Sequence, residues 1–363
     1  MRYASIDILR ALAIFVMVFV HFGENLSGVV MPFAGFGAPL FAFLSGVSYY
    51  LWTRGQFSRG KSESEVSKIS VRRGLFVFGV GIAFNILVWL PEDTFNWDVL
   101  TFIGVGLVVL NFVRRIPKEV IIMMAVASVL ISPILRLIID YNSYWANGYF
   151  DPDLTLSDIF IGFGIAGYFP VFPWLAFPLL GYVSSQHLFS REEEAEQSRS
   201  QSHYLVATGG LLALTAGLLI QTRPLLPTLV STNYFGGWTM YPPTIEYICG
   251  TIGLTLLLLC VTHRYFDSPT AAENPGHLFA AAKLFSQYAF TVYIVHHLVH
   301  VWPMWIYALA VGQEPTYYWM KAMPLWMAML LAVIFLLFTY LILRRVGQRR
   351  TFGVEASMRW VCD

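Results

Sequence analysis

The main pattern along the chain is a series of long apolar stretches separated by short polar segments. A helix that crosses a bilayer needs roughly 20 mostly apolar residues, because the hydrocarbon core is about 30 Å thick and each helical residue rises about 1.5 Å. About ten stretches meet this requirement. They lie near residues 5–22, 34–53, 73–91, 98–113, 120–139, 169–187, 204–221, 245–263, 283–302 and 323–343. The pattern predicts an all-α, polytopic membrane helix bundle that forms a single domain over residues 1–363.

Some of these stretches are irregular. The sixth contains Pro170, Pro173 and Pro178, which predict kinks because proline removes a backbone donor inside a helix. An additional half-span near residues 304–311 is left open. The apolar run at residues 8–22 lacks the short core and small-residue cleavage site of a signal peptide, so we expect it to be a retained first helix.

Composition supports a membrane location. The chain is 57% hydrophobic and 12% charged, whereas about a quarter of the residues in soluble domains are charged. A net charge of +1 argues against a nucleic-acid partner. The cysteines, Cys249, Cys260 and Cys362, have no metal-type spacing. We expect them to be ordinary thiols, without a disulfide framework or a zinc site.

The distribution of lysine and arginine predicts the orientation. With the N-terminus inside, most basic residues fall in cytoplasmic loops or the tail, as the positive-inside rule requires. Arg136, Arg223 and Lys321 fall near the outer side. We therefore expect both termini in the cytoplasm, in a prokaryotic plasma membrane, with membrane lipids as partners. A homodimer is left open.

The predicted outer segments 140–168 and 222–244 are rich in tyrosine, tryptophan, glycine, proline and asparagine. Two interpretations stand at this point. The rings form an aromatic belt at headgroup level, or the segments cap a pocket that opens outward. The predicted cytoplasmic segment 188–203 is a charged, solvated linker to which we assign no function.

The first span carries three ionisable residues, Asp7, Arg10 and His21. Ionisable groups inside a membrane are costly, so each is a functional hypothesis. Asp7 and Arg10 are three residues apart and can pair on one helical face. His21 lies eleven residues beyond Arg10, on the same face and about 16 Å along the axis. One interpretation is an interfacial ion pair with a boundary histidine. The other makes His21 a general base, because histidine exchanges protons near neutrality.

Other ionisable candidates lie later in the chain. Glu246, at the start of the eighth span, lines the same cavity or is a boundary residue. His296 and His300 lie four residues apart in the ninth span and share one face. Since no H-E-x-x-H pattern or third ligand accompanies them, we predict no metal site.

Pairs of arginines mark the cytoplasmic ends of two spans. They are Arg72 with Arg73, and Arg344 with Arg345. The first interpretation is that they determine topology. The second is that some hold the phosphates of a donor, because guanidinium groups bind phosphate through two parallel hydrogen bonds.

Three motifs resemble the acyltransferase-3 family of transmembrane acyltransferases. Ser5-Ile-Asp-Ile-Leu-Arg-Ala-Leu-Ala13, continuing to His21, is similar to its opening helix, with the same spacing of ten residues between arginine and histidine. Gly37-Ala-Pro-Leu-Phe-Ala-Phe-Leu-Ser-Gly46 resembles its second helix. Phe290-Thr-Val-Tyr-Ile-Val-His296 is similar to a motif in one of its late helices.

Two further segments resemble a sister branch. Tyr168-Phe-Pro-Val-Phe-Pro-Trp-Leu-Ala-Phe-Pro-Leu-Leu-Gly181 is similar to a segment of the heparan-α-glucosaminide N-acetyltransferase-like group. Gly353-Val-Glu-Ala-Ser-Met-Arg359 resembles the ending of a related membrane family. The heparan-type enzymes carry an essential histidine in their first luminal loop, whereas residues 22–36 of this chain offer Glu24 and Asn25. This departure favours acyltransferase-3-like chemistry at His21 over a heparan-type substrate.

The resemblance implies transfer of an acyl group, acetyl in the first instance, across the membrane. Cytoplasmic acetyl-CoA or another acyl-CoA would donate it to a hydroxyl or amine of a sugar or glycan on the outer side, without metal or prosthetic group. His21 would deprotonate the acceptor, and Arg10 with Asp7 would stabilise the donor or the oxyanion. We assign the donor to Arg72, Arg73, Arg344 and Arg345, and the acceptor to Glu24, Trp174, Tyr241, Glu246 and His296.

Two other functions remain open. A transporter or flippase of a polar or lipid-linked metabolite would also have polar residues at mid-membrane and helices broken by proline. The chain has no visible inverted repeat, and its strongest polar cluster lies on one helix. A structural membrane protein would leave the spacing between Arg10 and His21 unexplained.

Overall fold

The computed structural model describes residues 2–89, 91–189, 195–228, 231, 234–267, 277–346 and 352–363. The chain divides into two compact units, which we describe separately. The first unit contains residues 39–261 and Cys362. The second unit contains residues 2–38, 262–361 and Asp363. The segment 188–203, predicted as a linker, lies partly outside the described residues.

The described residues are predominantly α-helical. The helices are α1 Ala4–Ser27, α2 Gly37–Phe57, α3 Glu63–Val88, α4 Val99–Val113, α5 Lys118–Ile138, α6 Leu156–Ile161, α7 Val171–Trp174, α8 Ala176–Leu188, α9 Ala195–Thr222, α10 Ile245–Phe266, α11 His277–Gln287, α12 Ala289–Ala310, α13 Leu325–Val346 and α14 Val354–Cys362. The sheet content is one antiparallel hairpin among the described residues, β1 Trp145–Ala146 and β2 Tyr149–Phe150. The prediction of an all-α fold is confirmed.

Nine helical segments of the described chain are long and apolar enough to span a membrane. They are Ala4–Ser27, Ala34–Phe57, Glu63–Val88, Asp93–Val113, Lys118–Ile138, Leu156–Leu188, Ser202–Leu225, Ile245–Phe266 and Leu325–Val346. The pair Leu278–Gln287 and Ala289–Ala310, bent by 82°, makes ten if it is counted as one span. The protein is therefore a multi-pass integral membrane protein.

Two predicted spans need correction. The ninth, residues 283–302, is not one straight helix, because Tyr288 leaves the helical conformation between α11 and α12. The predicted half-span near residues 304–311 is largely the end of α12. The third, residues 73–91, begins ten residues too late. The side chain of Ser62 and that of Glu65 cap each other's backbone, so α3 starts at Glu63 within the polar loop.

The sixth predicted span is interrupted where its prolines lie. Leu156–Leu188 consists of α6, a π-helical turn at residues 162–166, α7 and α8. Phe172 has φ −101° and ψ 122°, which is extended rather than helical backbone. Proline cannot donate to the preceding turn, and it pushes the residue before it toward extended conformations. The expected kinks are therefore present.

The first unit contains an aromatic cluster. Trp97, Tyr141, Phe150 and Ala166 form its buried core. Partly buried side chains pack around this core, among them Phe78, Ile82, Phe95, Ile139, Tyr144, Trp145, Ile159, Ile161, Phe163 and Tyr168. The rings of segment 140–168 therefore pack on one another within the fold.

In the second unit, α1 packs beside α12, and α13 returns along it. His21 and Asn25 of α1 contact His296 and His300 of α12, so these two helices run parallel and in register. The backbone N–H of Met320, just before α13, donates to the carbonyl of Asn25 over 2.9 Å. The helical pattern of α1 ends at Gly28, whose φ of +70° is the left-handed conformation that favours glycine.

The C-terminal motif that begins at Gly353 fixes the start of α12. Glu355 Oε1 accepts hydrogen bonds from the backbone N–H groups of Phe290, over 2.7 Å, and of Thr291, over 3.0 Å. The hydroxyl of Thr291 donates to the other carboxylate oxygen. Backbone N–H groups in the first turn of a helix have no intrahelical acceptor, and the helix dipole favours an anion there. Glu355 therefore stabilises the helix that carries the histidines.

Replacing Glu355 with alanine is expected to lower the free energy of unfolding by about 1–2 kcal/mol, the usual cost of losing a helix cap. Thermal unfolding in detergent measures the change. The matched control is Glu119→Ala, which removes an exposed carboxylate from the first turn of α5. An equal, small effect of both substitutions would contradict a specific role for Glu355.

Candidate functional site

The site is built around His21, in the last third of α1. Its Nδ1 lies 2.9 Å from Nε2 of His296, which α12 contributes. The ring of His297 lies beside the ring of His21, with the two ring centroids 4.5 Å apart. His296 is fully buried and His297 is 1% exposed, whereas His21 is half-buried. The structure thus brings together two predicted site residues, His21 and His296, from distant parts of the chain.

The hydrogen bonds of this pair define their tautomers. His296 Nδ1 faces the backbone carbonyl of Val292 at 3.1 Å, so it must carry the hydrogen and donate. A neutral imidazole has one N–H, which makes Nε2 of His296 an acceptor. His21 must then donate from Nδ1. The lone pair of His21 is therefore on Nε2, which has no hydrogen-bond partner among the residues described.

A second contact repeats this arrangement one turn further along both helices. Asn25 Nδ2 donates to Nε2 of His300 over 2.8 Å. His300 Nδ1 in turn donates to the backbone carbonyl of His296 over 2.5 Å. Asn25 and His300 are both 4% exposed. This buried contact fixes the register of α1 against α12 and thereby holds His21 opposite His296.

A separate polar network lies at the N-terminal end of α1. Asp7, 1% exposed, forms an ion pair with Arg2 through two hydrogen bonds of 2.6 and 2.9 Å. The hydroxyl of Ser286 donates to the same carboxylate over 2.6 Å. Arg10 Nη1 donates to the Ser286 oxygen over 3.3 Å. Asp7 and Arg10 therefore share one network, in which the sequence analysis had not placed Arg2 or Ser286.

Asp267 anchors the first turn of α1. Its carboxylate accepts hydrogen bonds from the Ser5 backbone N–H over 3.0 Å and from the Ser5 hydroxyl over 2.5 Å. His263 Nδ1 lies 2.7 Å from the same carboxylate. The sequence alone does not indicate this role, because nothing local to residues 263–267 points to a contact with residue 5. The spacing of a histidine four residues before an aspartate was the available signal.

The four arginines assigned to the donor lie in different settings. Arg72 lines an open cavity of about 650 Å³ in the first unit. Arg73 lies over the ring of Trp52, 4.7 Å from its centroid. Arg344 and Arg345 are exposed in the last turn of α13, in the second unit.

The cavity beside Arg72 is basic on balance. Its lining is Glu63, Ser64, Ser67, Lys68, Val71, Arg72 and Arg115. Glu63 already binds Arg114 and Arg115 through ion pairs of 2.8 Å. In the part of the chain that the structure describes, neither Lys68 nor Arg72 forms an ion pair. These two cations are therefore available to an anionic ligand.

The other residues assigned to the acceptor lie in different settings. Glu24 is half-buried in α1, one turn beyond His21. Trp174 is fully buried in the first unit, against Phe169 and Phe177. Tyr241, also in the first unit, is 39% exposed and packs edge-on against Tyr168.

Glu246, the last residue assigned to the acceptor, is fully buried in the first unit. Its Oε1 accepts a hydrogen bond from the backbone N–H of Gly237 over 3.0 Å. Its role toward an acceptor, like those of Glu24, Trp174 and Tyr241, stays a prediction.

Comparison with known proteins gives the family. Residues 2–216 match the model of the heparan-alpha-glucosaminide N-acetyltransferase catalytic domain. The match covers more than half of the chain and includes Asp7, Arg10 and His21, whereas the histidines of α12 lie beyond it. Comparison with individual curated proteins gives no match. The extent of the family match, together with the multi-pass helical fold, shows that this chain belongs to the heparan-alpha-glucosaminide N-acetyltransferase family of transmembrane acetyltransferases.

Proposed function

We propose that this protein transfers an acetyl group from acetyl-CoA to a hydroxyl or amine of a sugar or glycan, with His21 as the general base. The family match supports an acetyltransferase. The observation that carries the proposal is the tautomer of His21. Its Nδ1–H donates to His296, and this leaves the lone pair on Nε2 of a half-buried side chain.

In this reaction one proton passes through His21, which first accepts it and then releases it. Nε2 removes the proton of the acceptor hydroxyl or amine while that oxygen or nitrogen attacks the thioester carbonyl. The new carbon–oxygen or carbon–nitrogen bond forms, the carbon–sulfur bond breaks, and the proton passes to the departing CoA thiolate or to solvent. His296 stabilises the imidazolium that forms, because its Nε2 accepts the Nδ1–H bond of His21.

The donor approaches from the side on which α1 begins. The positive-inside rule supports a cytoplasmic location for that end, with both chain termini inside. We place the protein in a prokaryotic plasma membrane as part of this proposal. Arg10 and His21 lie about 16 Å apart along α1, a separation that the pantetheine arm of acyl-CoA can span. We assign Arg10, held beside Asp7 by Ser286, to the donor at the inner end of this path, and we place the thioester at His21. The acceptor then binds on the outer side.

Phosphates of the donor bind at the cavity lined by Lys68 and Arg72 in this proposal. Arg72→Ala is expected to raise the KM for acetyl-CoA by about tenfold or more, with little change in kcat. A charge-assisted hydrogen bond contributes about 1.5–3 kcal/mol, and about 1.4 kcal/mol corresponds to a factor of ten. Steady-state kinetics measure both constants. Arg59→Ala is the control, because Arg59 is exposed in the loop that precedes α3 and does not line the cavity. Equal KM values for both variants would remove Arg72 from the donor site.

The proposed function is tested with purified protein in proteoliposomes. Radiolabelled acetyl-CoA is supplied on one side, and membrane-impermeant acceptors, glucosamine and its N-blocked hydroxyl analogue, on the other. Acetylated sugar on the opposite side would support transfer across the membrane, and the preferred acceptor would distinguish N- from O-transfer. If folded protein neither consumes acetyl-CoA nor labels an acceptor, the enzyme proposal is wrong. Counterflow of a labelled sugar in the same vesicles would then identify a transporter.

A further inference from the structure

One nitrogen atom from each of His21, His296 and His297 lies within 4.8 Å of the other two. The sequence pattern indicates only the pair His296 and His300, four residues apart in one helix, and no third ligand. In the structure, His296 is joined instead by the adjacent His297, and α1 contributes the third imidazole, that of His21. Three imidazoles that converge from two helices satisfy the ligand requirement that the sequence pattern did not.

The outer hydrogen bonds of these histidines match those of metal ligands. His296 Nδ1 donates to the carbonyl of Val292, and His297 Nδ1 donates to the carbonyl of Tyr293, both over 3.1 Å. Metal-bound histidines usually donate their second ring N–H to a carbonyl or carboxylate, which fixes the ring and its tautomer. In both residues the lone pair is therefore on Nε2. The contact between His296 and His21 shows that this Nε2 points toward the cluster.

We propose that His21, His296 and His297 form a binding site for a divalent transition-metal ion of the Zn²⁺ type. Zn²⁺ binds imidazole nitrogens at about 2.0–2.1 Å, and three histidines leave its fourth position for water or another ligand. Cu²⁺ and Ni²⁺ suit the same nitrogens, whereas Mg²⁺ and Ca²⁺ require oxygen ligands, which this set lacks. The ion would replace the hydrogen bond between His21 and His296, and the three nitrogens, which lie within 4.8 Å of one another, would move closer together around it.

Occupation of this site inhibits acyl transfer, a consequence that rests on the proposed function. If His21 binds the ion through Nε2, the lone pair that accepts the substrate proton is used. If it binds through Nδ1, the hydrogen on Nδ1 must move to Nε2, which then has no lone pair. Either mode removes the general base.

Metal binding is measured directly on full-length, untagged protein treated with a chelator. Co²⁺ is added and followed by its visible absorption, and Zn²⁺ is added in a calorimeter. We expect one equivalent of ion to bind to the wild type. We expect His297→Asn to bind the ion at least tenfold more weakly, because one of three ligands is lost. His203→Asn, an exposed histidine in α9, is the control and should bind like the wild type.

Acetyl transfer is then measured with and without Zn²⁺. The effect of Zn²⁺ is expressed relative to the metal-free activity of each protein: the wild type should be inhibited, and His297→Asn should resist inhibition. His297→Gln provides a second variant if the asparagine protein does not fold. Equal Co²⁺ spectra and Zn²⁺ affinities for wild type and both His297 variants would overturn the site. Metal binding without any transferase activity would support the metal site and contradict the proposed function. Transferase activity without metal binding would support the proposed function and contradict the metal site.

Discussion

Replacing His21 with asparagine is expected to reduce the kcat for acetyl transfer by about 10²–10⁴-fold, the range that a positioned general base contributes. The affinity for acetyl-CoA should stay unchanged, since we assign donor phosphates to Lys68 and Arg72. Asparagine is the informative substitution because its side-chain N–H₂ can still donate to His296, as Nδ1 of His21 does. It provides no base in place of Nε2.

Steady-state kinetics and calorimetric binding of acetyl-CoA separate the two effects. His203→Asn makes the same chemical change at an exposed position of α9 and should behave as the wild type. A His21→Asn protein that binds acetyl-CoA normally and retains a kcat within a few-fold of wild type would show that another group removes the proton. Loss of acetyl-CoA binding together with kcat would indicate a structural rather than a chemical role.

Replacing Gly46 with alanine is expected to prevent stable folding of the first unit. A Cβ atom at Gly46 would lie 1.9 Å from the backbone carbonyl oxygen of Pro178 in α8. The contact is reciprocal, since a Cβ at Gly181 would lie 2.1 Å from the carbonyl oxygen of Phe43 in α2. Backbone atoms cannot turn away as a side chain can, so α2 and α8 must separate. We expect a loss of about 3 kcal/mol or more, at the upper end for overpacking.

Thermal unfolding in detergent, followed by tryptophan fluorescence, measures this loss. The matched control is Gly79→Ala in α3, where a Cβ has no neighbour within 4 Å. That substitution should be neutral or stabilising by about 0.5–1 kcal/mol, because alanine favours helix more than glycine does. Similar melting temperatures for Gly46→Ala and Gly79→Ala would show that the close approach of α2 and α8 does not limit stability.

The sequence predicted the membrane spans well because hydropathy is a local and additive property. The prediction was less accurate at helix ends, because one or two polar contacts determine the residue at which a helix begins or ends. The capping contact between Ser62 and Glu65 extends α3 into a polar loop that an apolar window excludes. The break at Tyr288 lies inside a continuous apolar run, where hydropathy carries no signal for it. Hydropathy indicates whether a segment can lie in lipid, whereas backbone geometry determines where a helix ends.

The candidate site was also predicted only in part from the sequence. Helical periodicity alone placed Arg10 and His21 on one face of α1, and His296 and His300 on one face of α12. Only the tertiary structure showed that α1 and α12 run parallel and in register, so that His21 contacts His296. It also gave Asp7 its partner Arg2 and linked Arg10 to Ser286.

The physical reason is the range of each interaction. Spacing within one helix follows from backbone geometry, which neighbouring residues fix between themselves. Contacts between residues more than 270 positions apart depend on how whole helices pack. The sequence therefore determined which side chains share a helical face, and the tertiary structure decided which of those faces meet.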